Sequence, residues 1–357
     1  MKYLYIVIGG ILSLAAFYLT FRNVPFNSIW TYFLSIDYFW VFISIVINFS
    51  SFLIRAYRWQ LIVNQIHSIR FCAAYHPMAI GFMMNSILPG RLGEVVRPMV
   101  LNKKQGIPIS TGLTTVITER LFDILILCLL YVFVLLFVQI DPDYQMEIGN
   151  YILSQSLLES IAINVSRLLL VIIVCIALFC MSWSRLIITN TLQQIPKLLF
   201  FFNTETKNII GNKCIQPIIH LIDHIAKGFS FFNRPLIVIY CFILSITIWG
   251  LVAYSNYVMT FGCKNLNIGF FEMLAVMVII CFFITLPAVP GYWGIWEAGG
   301  IFALTIFGIG IQEATGFTIV NHAAQLLPII LAGFISALIT GTSILSSKKL
   351  NLEDQTI

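Results

Sequence analysis

The chain has 357 residues, of which 59% are hydrophobic and only 10% are charged. Soluble domains carry roughly 25% charged residues, so the composition excludes an ordinary soluble protein and predicts a polytopic membrane protein. The apolar residues form long unbroken runs rather than an alternating pattern, which excludes a transmembrane β-barrel. The net charge of +5 is small, and no nucleic-acid partner is expected.

Six apolar runs have about the 20 residues that a helix needs to cross a bilayer. They cover residues 3–20, 38–54, 121–140, 164–183, 235–261 and 316–344. The first run lacks a small-residue cleavage site, which favours an uncleaved span over a signal peptide. We therefore predict an all-α polytopic membrane protein that forms a single membrane domain.

The charges between these runs predict their orientation. The second run is followed by Arg55, Arg58, His67 and Arg70, whereas the loop after the third run contains acidic residues and no lysine or arginine. Residues 184–234 are also rich in lysine and arginine and carry an apolar stripe, which predicts an amphipathic cytoplasmic helix. Because positive loops stay inside, the pattern places both termini in the cytoplasm.

Two proline-glycine motifs interrupt apolar runs. The first lies within residues 85–98 and the second within residues 286–297. The orientation above requires residues 71–120 to leave the cytoplasmic face and return to it, and residues 272–310 to do the same from the outer face. We therefore predict two re-entrant helical hairpins, one in a first repeat (38–140) and one in an inverted second repeat (235–345). The alternative is that two proline-glycine turns coincide by chance.

The first motif places Arg91, Glu94 and Arg97 at the end of an apolar run. Arginine presents a planar fork of donors that suits a phosphate group, and a lipid phosphate is the anion to expect in a membrane. Glu94 and Arg97 are i, i+3 neighbours that can pair on a helix, which would leave Arg91 as the available cation. The alternative is that both arginines extend to the headgroups at the inner interface.

Three further acidic residues lie in or beside apolar runs. Glu119 and Asp123 share a helix face with Arg120 between them. Asp123 lies inside the apolar run and should face protein or water, although acids at a helix start also cap first turns. Glu297 has no basic neighbour in sequence, so it needs a distant partner, a proton or water.

These considerations give two predicted sets of residues. The predicted substrate-binding residues are Asn85, Arg91, Glu94, Arg97, Glu119, Arg120, Asp123 and Glu297. The predicted structural breaks are Pro89, Gly90, Gly93, Pro290, Gly291 and Gly294.

Polar residues expected to form interhelical hydrogen bonds are His76, Asn256, Asn321, His322 and Gln325. No catalytic motif is evident, and we predict no metal site, no cofactor and no disulfide framework.

Four motifs resemble the transmembrane region of lysylphosphatidylglycerol synthases, which also occurs as stand-alone flippase-like proteins. They are Arg55-Ala56-Tyr57-Arg58-Trp59, residues 85–97, Glu119-Arg120-x-x-Asp123 and residues 287–297. The resemblance implies a module in a bacterial inner membrane that moves aminoacylated or isoprenoid-linked lipids between leaflets. The soluble aminoacyl-transfer domain of the full synthases is expected to be missing. Many relatives carry a basic residue in the last span, where this chain has Asn321 to Gln325, and that departure leaves the substrate open.

Two other functions stay open at this point. One is an integral-membrane enzyme of lipid or glycan assembly, such as a polyprenyl-phosphate-dependent transferase, with Glu94, Glu119 or Asp123 as the base. The other is a membrane scaffold that recruits a partner through residues 184–234. The expected partners are membrane lipids, together with either a second copy of the chain or a lipid-modifying enzyme.

Overall fold

The computed structural model describes residues 26–88, 91–137, 146–148, 151–153, 234–285 and 290–341, with a few isolated positions between 163 and 216. The predicted spans 3–20 and 164–183 and the predicted amphipathic segment 184–234 lie outside these ranges, apart from the isolated positions. The described part is helical except for a small antiparallel hairpin. In it, β1 (Met146–Ile148) pairs with β2 (Tyr151–Leu153) so that residue 147 lies opposite residue 152.

The helices of the described part fall into two groups along the chain. The first group is α1 (Phe26–Ser35), α2 (Tyr38–Val63), α3 (Phe71–Ile87), α4 (Gly93–Gln105) and α5 (Ile109–Phe137). The second group is α6 (Pro235–Thr260), α7 (Phe270–Phe283), α8 (Ile295–Ile306) and α9 (Ile311–Thr340). By length and composition, α2, α5, α6 and α9 can each cross a membrane. Four of the predicted spans are therefore confirmed as long apolar helices.

Two of these helices extend well beyond their predicted bounds. Arg55 and Arg58, which we expected in a loop, lie inside α2 and are 8% and 0% exposed. Glu119 and Asp123 lie in the middle of α5 rather than in its first turn, so the interpretation of these acids as a helix cap is wrong. The reason is that these charged side chains pair with one another, so the helices continue through them without exposure to water.

Each group contains a pair of shorter helices joined by a break. In the first pair, α3 and α4 approach so closely that a Cβ on Gly93 would lie 1.8 Å from the Gly81 carbonyl oxygen. In the second pair, a 3-10 turn (Pro290–Tyr292) precedes α8. Gly291 and Gly294 have φ angles of 70° and 85° there, a region that glycine adopts without steric cost. Pro89 and Gly90 lie outside the described residues.

Both pairs return to the end of the molecule from which they started. One apolar cluster contains Val63, Ile69, Leu101 and Ile107, and so joins the end of α2, the start of α3, the end of α4 and the start of α5. A second cluster joins the corresponding ends of α6, α7, α8 and α9 through residues that include Leu266, Met273, Leu304, Ile309 and Ala314. Each pair is therefore a helical hairpin.

The two groups are packed against each other in opposite directions. The Asp37 amide at the start of α2 donates to the Gly262 carbonyl just after α6, at 2.9 Å. Arg58, near the end of α2, donates to Ser245 in the first half of α6, so α2 and α6 are antiparallel. The remaining contacts repeat between the groups: α3 packs on α9 as α7 packs on α5, and α4 packs on α5 as α8 packs on α9.

Candidate functional site

Six charged side chains from α2, α4 and α5 meet in the interior. They are Arg55, Arg58, Arg97, Glu119, Arg120 and Asp123. The Asp123 carboxylate accepts hydrogen bonds from two arginines of α2. Arg55 Nη1 donates to Oδ2 at 2.7 Å and Arg58 Nη2 donates to Oδ1 at 2.9 Å. The spacing of the arginines explains this, because residues three apart on a helix lie on the same face.

Glu119 holds the other side of this cluster. Its carboxylate accepts from Arg97 and, at 2.8 Å, from Arg120 Nη2. Glu119 is fully buried and Arg97 is 2% exposed, so Arg97 does not extend to the headgroups as the alternative interpretation had it. Arg97 pairs with Glu119 of the next helix instead of with Glu94, and Glu94 makes no ion pair within 4.0 Å among the described residues.

Aromatic and hydroxyl side chains complete the surroundings of the cluster. The Arg97 guanidinium carbon lies 3.6 Å from the centre of the Trp59 ring, a close cation–π contact. From the second half of the chain, Trp249 Nε1 donates to Asp123 Oδ1 at 3.3 Å. Because Ser245 also accepts from Arg58, α6 contributes two of the groups that hold the cluster in place.

The two breaks touch each other. Arg91, with a φ angle of 54°, extends from the first break so that its Nη2 donates to the Ile284 carbonyl oxygen at 2.9 Å. Its guanidinium carbon also lies 5.7 Å from the centre of the Tyr292 ring. Within the first break, the Gly93 amide donates to Asn85 Oδ1 at 2.7 Å and thereby closes the turn. Arg91 therefore joins the two hairpins.

The second break has a different chemistry. Glu297 Oε2 accepts from the Gly294 amide at 2.7 Å, and Oε1 lies 2.6 Å from His322 Nδ1. The His322 ring is stacked on Trp296, with ring centres 4.6 Å apart and an angle of 8° between the planes. Glu297 and His322 are each 1% exposed. The distant partner that Glu297 requires is therefore His322 of α9.

The other polar residues expected to link helices do so. Asn321 Nδ2 and Gln325 Nε2, both on α9, donate to Asn256 Oδ1 on α6 at 3.0 and 2.9 Å. His76 Nδ1 on α3 lies 3.1 Å from Ser336 Oγ on α9. These contacts, with the His322–Glu297 bond, tie α9 to three other helices and confirm the prediction for the five residues.

A cavity of about 250 Å³ lies between the two halves of the chain. Its charged wall consists of Arg55, Arg91, Glu94, Arg97 and Arg120, and Asn85 also lines it. The second half of the chain contributes apolar side chains, including Met277, Ile280, Ile284 and Leu326, and the polar side chains of Asn256, His322 and Gln325. The lining does not include Glu119, Asp123 or Glu297. These acids instead bind side chains that do line the cavity, namely Arg97, Arg55 and His322.

Two charged residues of the site were missed by sequence reasoning. Arg55 and Arg58 were assigned to a loop because they follow an apolar run, although both lie in the motif Arg55-Ala56-Tyr57-Arg58-Trp59. The available signal was their spacing: two arginines three apart, flanked by aromatic residues, present one charged face on a helix. That face matches the acidic face of Glu119 and Asp123, which are four residues apart on α5.

Comparisons with known proteins found related membrane proteins. Residues 6–333 match the family model described as the lysylphosphatidylglycerol synthase TM region. The chain is also 26% identical over 270 residues to a UPF0104 membrane protein of Methanocaldococcus jannaschii, and the aligned region covers 74% of this chain and 97% of that protein. No solved structure matches the chain significantly.

Proposed function

The chain belongs to the family of the lysylphosphatidylglycerol synthase TM region, and we propose that it moves a phosphate-bearing lipid between the leaflets of the membrane. The observation that carries this proposal is the cavity between the two hairpin breaks. Arg55, Arg91, Arg97 and Arg120 line it together with Glu94, and the rest of the lining is a mixture of apolar and polar side chains. A phosphate headgroup fits the arginines, and acyl or isoprenoid chains fit the apolar surface.

The proposal includes an orientation in the membrane. The end of the molecule shared by α2, α3, α4 and α5 carries the exposed residues Arg70, Lys103 and Lys104. By the positive-inside rule this end is cytoplasmic. Since α2 and α6 are antiparallel, the second hairpin then enters from the outer face. Two re-entrant hairpins that meet from opposite faces form an inverted repeat with a binding site between them, as in many transporters.

In this arrangement, the contact between the hairpins serves as the point at which a lipid headgroup crosses. Arg91 bridges from the first break to the Ile284 carbonyl of the second, and it also lines the cavity. A headgroup phosphate that attracts Arg91 away from this carbonyl would loosen one hairpin from the other. The same guanidinium would thus bind the lipid and release the barrier to its movement.

The alternative of an integral-membrane enzyme has less support from the geometry. Glu119 and Asp123, two of the three residues considered as a base, are held in ion pairs with arginines and do not line the cavity. A general base must come within hydrogen-bond reach of the proton that it abstracts. Glu94 does line the cavity, so an enzyme would have to rely on that residue.

Lipid movement can be measured in proteoliposomes that carry a fluorescent phospholipid, with a membrane-impermeant quencher added outside. We expect Arg91→Ala to reduce the rate of lipid movement at least about tenfold, because each hydrogen bond to a charged group contributes about 1.5–3 kcal/mol. Lys103→Ala is the matched control, since it removes an exposed cation from the end of α4, outside the cavity. Normal movement with Arg91→Ala would refute the proposed role of this residue, and absence of movement with the unaltered protein would refute the function.

The orientation can be measured separately by thiol labelling in intact cells and in inverted membrane vesicles. In a cysteine-free background, we expect Lys104→Cys to react with an impermeant reagent only from the cytoplasmic side. Lys264→Cys, between α6 and α7, should react only from the outside. Both positions are exposed, so labelling of both from one side would disprove the opposite entry of the two hairpins.

A further inference from the structure

The charge of the interior cluster is not balanced. Four arginines, Arg55, Arg58, Arg97 and Arg120, face two carboxylates, Glu119 and Asp123, which leaves two positive charges. Adding the other charged residues of the cavity wall, Arg91 and Glu94, leaves the sum unchanged. Charges inside a membrane protein normally occur in compensating pairs, because each unpaired ion costs several kcal/mol. The excess of two positive charges therefore requires an explanation.

The positions of the charges point to a ligand. Glu119 and Asp123 accept from the arginines but do not line the cavity, whereas Arg55, Arg97 and Arg120 do. Each carboxylate therefore positions guanidinium groups whose other surfaces contribute to the wall. The Nε groups of Arg58, Arg97 and Arg120 are buried and have no hydrogen-bond partner within the described part of the chain. The protein groups around these arginines therefore leave part of their hydrogen-bonding capacity unused.

We infer that the lipid bound in this cavity carries a headgroup with two negative charges, such as a phosphomonoester or a diphosphate. The inference rests on the proposed function and specifies its substrate class. A phosphomonoester carries a charge of about −1.5 to −2 at neutral pH, which matches the excess of the cluster. Its three free oxygens can also accept from several guanidinium groups at once.

The excess of positive side chains around the cavity also disfavours a lipid with a cationic headgroup. An aminoacylated phospholipid brings one phosphate charge together with ammonium groups, so its headgroup is not a net anion. An ammonium group needs acidic or carbonyl oxygen partners, and Glu94 is the single carboxylate among the described residues of the cavity wall. This one residue faces four arginines of the same wall, and binding of an ammonium group would add to their repulsion.

The test is a comparison of lipids that differ only in their headgroups. Purified full-length protein in detergent is mixed with phosphatidic acid, phosphatidylglycerol and lysylphosphatidylglycerol of identical acyl chains. Native mass spectrometry measures how much of each lipid is bound. We expect phosphatidic acid to bind at least about tenfold more tightly than phosphatidylglycerol, with lysylphosphatidylglycerol weakest. A polyprenyl phosphate, which has the same headgroup charge on a different chain, should bind as phosphatidic acid does.

Glu94→Gln provides a second measurement that leaves the arginine cluster intact. Removing this negative charge from the wall should strengthen the binding of phosphatidic acid several-fold and should not help lysylphosphatidylglycerol. Equal or tighter binding of phosphatidylglycerol or lysylphosphatidylglycerol would overturn the inference and leave the proposed lipid site in place. If none of the lipids binds, both the inference and the proposed function fail.

Discussion

The two halves of the chain share an architecture but not a chemistry. In each half a long helix is followed by a broken pair and a second long helix, and each break precedes a helix with a glutamate in its first turn. The first half places six interlocked charged residues beside its break. The second half places Glu297, His322 and tryptophan rings there instead. The two halves therefore share an order of helices and differ in the side chains beside their breaks.

The way in which each break is closed explains part of this difference. In the first half, the amide of Gly93 donates to Asn85 of the preceding helix. In the second half, the corresponding amide of Gly294 donates to Glu297, the glutamate of the same turn. Glutamate that reaches back to the start of its own helix is a common capping arrangement. Because Asn85 takes over this function in the first half, Glu94 is left available to line the cavity.

This comparison assigns unequal tasks to the two hairpins. The first half supplies nearly all the charge of the cavity wall, and the second supplies largely apolar and neutral polar groups such as Met277, Ile280 and Gln325. A charged headgroup would therefore remain bound to one half of the molecule, while the other half offers a surface along which it can slide. Under the proposed function, movement of the lipid would require the second half to shift relative to the first.

The largest difference in stability between the halves should appear when the buried glutamate of each half, Glu119 or Glu297, is replaced by glutamine. Glu119→Gln leaves four arginines with one carboxylate, and removing one partner of a buried ion pair typically costs about 3–5 kcal/mol. We expect a marked fall in the unfolding temperature of the purified protein, measured in detergent by loss of the monodisperse gel-filtration peak after heating. The control Glu272→Gln, at a partly buried position in the first turn of α7, should change the unfolding temperature little. A stable Glu119→Gln protein would mean that the cluster is not held by its ion pairs.

The packing of the two hairpins gives a second, smaller contrast. A Cβ at Gly93 would lie 1.8 Å from a backbone oxygen of α3, whereas a Cβ at Gly299 would lie 2.8 Å from the Phe283 ring of α7. Overpacking of this kind costs about 1–3 kcal/mol, and backbone relaxes less readily than a side chain. We therefore expect Gly93→Ala to lower the unfolding temperature more than Gly299→Ala does. Gly250→Ala is the control, since nothing lies within 4 Å of its Cβ position. A larger fall in unfolding temperature for Gly299→Ala than for Gly93→Ala would show that the second hairpin is the more tightly packed one.

Much of this architecture follows from the sequence because it depends on local patterns. Apolar runs near bilayer length predict α2, α5, α6 and α9, and the proline-glycine motifs predict the positions of the two breaks. The charges of the loops predict that each broken pair returns to its starting end, and the described helix ends of each half pack in one apolar cluster. The re-entry of the hairpins into a membrane stays a prediction, because the labelling experiment above is what tests it.

The partners of the charged residues could not be predicted in the same way. Arg97 pairs with Glu119, 22 residues away, and His322 pairs with Glu297 across a helix interface. Sequence reasoning looked for partners three or four residues away, because those are the only distances that a single helix fixes. Arg55 and Arg58 were assigned to a loop for the same reason. Their acidic partner lies on a helix more than sixty residues further along the chain, where local spacing does not reveal it.

The smallest effect is expected for Glu297→Gln, the same substitution applied to the second half. A glutamine oxygen can still accept from the Gly294 amide, and its NH₂ group can donate to His322 Nδ1. The cost should be below about 1 kcal/mol, whereas Glu297→Ala leaves two buried groups without partners and should cost about 1–3 kcal/mol. If Glu297→Gln were as harmful as Glu119→Gln, the Glu297–His322 contact would be a true ion pair with a protonated histidine. The second half would then carry a buried charge pair of its own, and the two halves would differ in the number of their charges rather than in kind.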